Sequence, residues 1–70
     1  MTKSKIFFLN NERYITTNQI TIYDLITYFE YNENLLVLEY NNVIFDKSYW
    51  TTTFIKDLDK IEIVTIVGGG

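Results

Sequence analysis

The spacing of apolar residues changes along this chain, and each change marks an element. Ile22, Leu25, Ile26 and Phe29 recur at i, i+3, i+4 and i+7, the single stripe of an amphipathic helix. Thr21 stands just before the stripe and Asp24 three residues later. That is a capping-box arrangement with Asp in the usual Glu place, and it puts an acidic charge in the first turn. Asn32 and Asn34 are the expected stop, and a helix this short persists only when packed. Lys5–Leu9 (KIFFL) is rich in strand formers but apolar on both faces, so its inward phase stays open. Asn10-Asn11 tolerates positive φ and suits a tight turn into a returning strand, Glu12–Thr16.

After the helix the period falls to two. In Asn34–Tyr40, Leu36 and Leu38 share one face while Val37 and Glu39 share the other. Asn41-Asn42 turns the chain into a short strand, Val43–Phe45. Asp46–Trp50 reads as one helical turn whose Trp50 plugs the core. Lys56–Lys60 is a turn, and Lys60–Val67 is the last strand. Ile61 and Ile63 point inward, so Glu62, Val64 and Ile66 fall outward. The order is ββαββ, a short turn, then β. One main helix cannot line both faces of a mixed five-strand sheet, so it covers one face only. The expected class is α+β with the β-grasp, or ubiquitin-like, architecture. The uncovered face then carries Val37, Val64 and Ile66, which reads as a partner-docking patch.

Seventy residues make one domain, here expected as a body over 1–67 with a flexible tail over 68–70. The chain holds no Cys and no His, which removes disulfides, the usual metal sites and the common nucleophile–base pairs. We therefore expect no catalytic residue and no metal. Asp57 and Asp59 read as a solvated turn pair. Six cations against nine acids give a net charge of −3, with the cations scattered. Nucleic acid is not an expected partner, since no basic stripe would neutralise phosphates; the balance favours partners with a positive surface. Apolar runs are far shorter than a membrane span, and "MTKSK" has no apolar region behind it long enough for a secretory signal, which is therefore not expected. Ala and Pro are absent while Ile, Asn, Tyr and Phe abound, a bias that suits an AT-rich genome, an organellar one included.

The sequence closes on "IEIVTIVGGG". Gly68, Gly69 and Gly70 have no side chain to pack or react, so their role falls to backbone and to a terminal carboxylate. Extended, three residues reach roughly 10 Å. Without Cβ they thread a narrow channel and adopt backbone angles closed to other residues.

These features together resemble a known family, the ubiquitin-like sulfur carriers of thiamine biosynthesis called ThiS. "LNNE" (9–12) is similar to its L-N-G-E hairpin, and "TIYDLI" (21–26) to its capped helix. "VLEYNNVIFDKSYW" (37–50) is similar to its V-x-E-x-N-x-x-I-V segment, and "DLDKIEIVTIVGGG" (57–70) to its glycine-terminated end. Leu58 departs from the pattern, standing where the family often has Gly in a D-G-D turn. If the position needs positive φ, Leu costs about 1 kcal/mol or more there; an ordinary type I turn would cost nothing. Asn11 and Asn42 also replace turn glycines.

The resemblance implies a protein co-substrate and not an enzyme. A ubiquitin-activating-type adenylyltransferase (ThiF-like), using ATP and Mg²⁺, would convert the Gly70 carboxylate to an acyl-adenylate. Sulfur from a persulfide donor would give a thiocarboxylate, and thiazole synthase (ThiG-like) would take that sulfur. Gly68 and Gly69 would present the reacting end, while Val64, Ile66 and Val37 would dock the body. The free carrier would be a monomer, in a bacterial cytoplasm or, if organelle-encoded, a plastid stroma. Three other readings stay open: the small subunit of molybdopterin synthase, a protein-conjugating ubiquitin-like modifier, and a β-grasp binding module with an inert tail.

Overall fold

The computed structural model describes residues 3–66. Five strands form one sheet: β1 (Lys5–Leu9), β2 (Glu12–Thr16), β3 (Leu36–Tyr40), β4 (Val43–Ile44) and β5 (Lys60–Thr65), with one helix, α1 (Ile22–Tyr28). The spatial order is β2-β1-β5-β3-β4. β5 runs parallel to β1 and antiparallel to β3, while β2 and β4 are antiparallel edge partners. The sheet is therefore mixed, with the last strand at its centre and one helix on one face, as the element order implies. The expected end of that strand at Val67, the Gly68–Gly70 tail and the division between body and tail lie outside the described residues.

The helix starts as its sequence dictates. The Thr21 hydroxyl oxygen accepts from the Asp24 N–H at 3.1 Å, and the Asp24 carboxylate accepts from the Thr21 N–H at 2.9 Å. Two otherwise orphaned donors are thereby satisfied at once. The stop comes earlier than the asparagines suggest. Phe29 is the C-cap, and Glu30 takes the left-handed conformation at φ 60. Tyr31 N–H then reaches back to Ile26 C=O at 3.0 Å and Glu30 N–H to Thr27 C=O at 3.1 Å, a Schellman closure. Asn32 instead caps a 3₁₀ turn over Glu33–Leu35. That turn takes two residues expected in the third strand, which begins at Leu36.

Ile22, Leu25 and Ile26 of α1 pack with Phe7, Leu9, Leu36, Leu38, Ile61 and Ile63 of the sheet in one cluster. The open question of β1 is thus resolved: Phe7 and Leu9 point inward. Trp50 is buried below a 3₁₀ turn (Lys47–Tyr49), and its indole N–H donates to Phe45 C=O at 3.2 Å. Phe45 itself stands beyond β4, which is one residue shorter than expected.

Candidate functional site

β5 is held from both sides by the turns of its neighbours. β1 ends at Leu9, but Asn10, at φ 50, continues its work. The Asn10 N–H donates to Ile61 C=O at 2.9 Å, and its side-chain oxygen accepts from Ile63 N–H at 2.8 Å. From the β3–β4 turn, Asn41, at φ 51, donates its N–H to Lys60 C=O at 2.7 Å and accepts Lys60 N–H on its side-chain oxygen at 2.8 Å. Asparagine suits both places, because it tolerates positive φ and carries an amide that imitates a peptide group.

Asp59, one residue before β5, is the buried anchor of this end. Its expected solvation is not observed: it is only 6% exposed. Its carboxylate accepts from the Tyr40 hydroxyl, from Asn41 Nδ2 at 3.1 Å and from Lys56 N–H at 2.7 Å. A buried carboxylate needs such donors to offset desolvation. Burial, then the hydrogen bond to Asp59 and its charge, push the Tyr40 phenol well above its ordinary value. Asp57 is exposed and accepts Ile6 N–H at 2.8 Å, so the two aspartates do build a turn, but only one is solvated. Between them Leu58 stands at φ 68, which makes the left-handed alternative for this turn the correct one.

Beyond this anchor the register of β5 sets the outer face. Val37 and Val64 are direct cross-strand partners, as are Glu39 and Glu62, while Ile44 of β4 lies opposite Glu39. Pairing alternates hydrogen-bonded positions along an antiparallel ladder, and all these side chains share the face away from α1. Val64 is 62% exposed, Ile66 51%, Ile44 72% and Val37 38%. Ile66 follows the strand and still donates its N–H to Leu35 C=O at 2.7 Å. The structure thus brings Val37 and Val64 together, with Ile66 one step further along the same face. Sequence reasoning missed Ile44. A two-residue strand shows no period, and only its pairing with β3 assigns its face. A shallow depression of about 210 Å³, lined in part by Val37, Ile44, Phe45 and Trp50, borders the patch.

The opposite side offers a groove of about 370 Å³ between β2 and α1, lined mainly by Phe7, Tyr14, Ile20, Leu25, Tyr28 and Phe29. Asp24 is its sole ionisable carboxyl, and that group is already used in the helix cap. Among the described residues, no three acidic side chains gather as they would around a metal ion. The arrangement presents an exposed apolar surface on and beside the middle strand. Gly68, Gly69 and Gly70 lie outside the described residues.

Comparison with known proteins places these features in a group. The model of the ThiS family matches residues 6–70. A ycf40 protein of Trieres chinensis, itself uncharacterized, is 57% identical over 67 residues, covering 96% of this chain and 92% of the relative. The ycf40 protein of Porphyra purpurea is 32% identical over 62 residues, covering 89% and 87%. Among solved structures, the thiamine biosynthesis protein ThiS of Geobacter metallireducens superimposes with a TM-score of 0.76, covering 93% of this chain and 99% of its own. Its 18% identity establishes the likeness of fold alone.

Proposed function

Since this chain belongs to the ThiS family, we propose that it is a sulfur carrier whose reacting group is the Gly70 carboxylate. A carboxylate is ionised near neutral pH, its terminal pKa being roughly 3.3–3.7, and in that form it is a poor electrophile. It becomes one by attacking the α-phosphorus of ATP in a partner adenylyltransferase, which holds the Mg²⁺. Pyrophosphate leaves and an acyl-adenylate forms. The terminal sulfur of a persulfide then displaces AMP, and a thiol cleaves the resulting S–S bond to free the thiocarboxylate. Thiazole synthase is the acceptor in this reading, supported by the likeness in fold to the thiamine biosynthesis protein of Geobacter metallireducens.

The body contributes docking and aim. Gly68 and Gly69 are the tether; ordering them in a channel costs about 1–2 kcal/mol of backbone entropy per residue. Contacts at Val37, Val64 and Ile66 offset that cost. The observation that carries the reading is the exposure of these three residues on and beside the strand that runs into the glycines. A plastid stroma is the proposed location, supported by the ycf40 relatives, which belong to algal plastid genomes. No helix among the described residues is long and apolar enough to cross a membrane.

The test is intact mass after incubation with ATP, Mg²⁺, a persulfide donor and the adenylyltransferase of the same cell. Exchange of one carboxylate oxygen for sulfur supports the carrier, and transfer to thiazole synthase identifies the acceptor. Conjugate ladders would make the chain a modifier. An unchanged mass, or a native product extending past Gly70 without trimming, overturns the proposal.

A further inference from the structure

Resting on the docking reading above, we propose that Glu39 and Glu62 are specificity determinants of that face, selecting a protein surface that seats one cationic side chain between them. The two are direct cross-strand partners on β3 and β5, with side chains on the same outward face. Like charges placed directly opposite destabilise a sheet, so the fold carries a local cost here. Only half of it is relieved within the chain. Lys60 pairs with Glu62 at 3.5 Å, and Glu39 has no ion-pair partner among the described residues.

The carboxylates sit inside an apolar frame. Val37 and Val64 occupy the next same-face row along the ladder, and Ile44 flanks Glu39 on its other side. An occupant must therefore bring an apolar centre and a cation together. Arginine fits best, since its planar fork can bond both carboxylates while its flat face rests on the valines. Charge also decides against other occupants. A second copy docked through a two-fold axis would set the glutamates against themselves. Anionic lipid and nucleic acid are repelled by the pair.

The test uses the full chain and the ThiF-like adenylyltransferase with ATP and Mg²⁺. Affinity is measured at low and high salt for Glu39→Gln, Glu62→Gln and Val64→Asp, alongside the thermal midpoint of each free variant. Each glutamine variant should bind about tenfold more weakly at low salt, through slower association, with the difference shrinking as salt screens it. Its midpoint should hold or rise, because like-charge repulsion is removed. A merely structural pair would lower midpoint and affinity together, and that result overturns the proposal. Unchanged affinity in the glutamine variants with loss in Val64→Asp also overturns it, while leaving the docking face intact. Unchanged affinity in all three removes the docking reading itself. A concentration-dependent dimer of the free chain dissolved by Val64→Asp would assign the face to a second copy and end the proposal.

Discussion

Replacing Leu58 with glycine should make this protein more stable, although it deletes a large apolar side chain. Leu58 stands at φ 68 in the turn before β5, where a Cβ costs roughly 1–2 kcal/mol. The conformation is imposed from outside. The Leu58 N–H donates to Ile6 C=O, the Asp59 N–H to Lys56 C=O, and the Asp59 carboxylate accepts Lys56 N–H. Glycine removes the strain but adds about 0.4–1 kcal/mol of freedom to the unfolded chain. The side chain is 66% exposed, so little packing is lost. The balance is a gain of about 0.8 kcal/mol, or about 3–6 °C in midpoint for a domain of this size. Urea and thermal unfolding would read it. Leu58→Ala is the control, because it loses the same packing and keeps the Cβ. If Leu58→Gly proves no more stable than Leu58→Ala, the strain argument fails. Glu30, also left-handed at φ 60, offers a second site where glycine should act in the same direction.

Other expectations follow from the same structure. Tyr40→Phe deprives buried Asp59 of its phenolic donor and should cost about 1–3 kcal/mol by urea unfolding. In the native chain the folded Tyr40 pKa lies above the unfolded one, so the unfolded state releases its proton first. Stability present below pH about 10 should fall as pH rises past it, and Tyr40→Phe should flatten that alkaline decline; an equally steep decline in the variant would remove the linkage. Gly69→Val should abolish adenylation, assayed by pyrophosphate release, with an unchanged thermal midpoint; normal turnover would exclude a narrow channel. Ile66→Asp should weaken binding to the adenylyltransferase about tenfold or more while moving the midpoint by no more than a surface change does, and the reverse pattern would place Ile66 in the folding core.

What the sequence disclosed depended on how far the deciding contacts reach. The Thr21–Asp24 cap involves neighbours three apart and could be read directly. So could Leu36, Leu38, Ile61 and Ile63, because a half-buried strand writes its faces at period two. β1 could not be phased, since KIFFL is apolar on both sides and only pairing with β2 and β5 distinguishes Phe7 from Phe8. The burial of Asp59 was hidden for a similar reason: its donors Tyr40 and Asn41 stand 19 and 18 residues away. The helix stop was misplaced because the left-handed residue is a glutamate, which advertises nothing. On the face proposed for docking, Val37, Val64 and Ile66 could be assigned outward by alternation, whereas the opposition of Glu39 and Glu62 exists only once register is known.

The placement of β5 has a mechanical side. Traction applied at the C-terminal end of β5 would run along the axis of the middle strand, across the direction of its hydrogen bonds to β1 and β3. Load in that direction is shared by the ladders on both flanks and by the clasps of Asn10 and Asn41, so they must give way together. A strand at the rim would peel one bond at a time. Of the five strands, β5 is therefore the one that best resists being drawn out of the sheet by a tug.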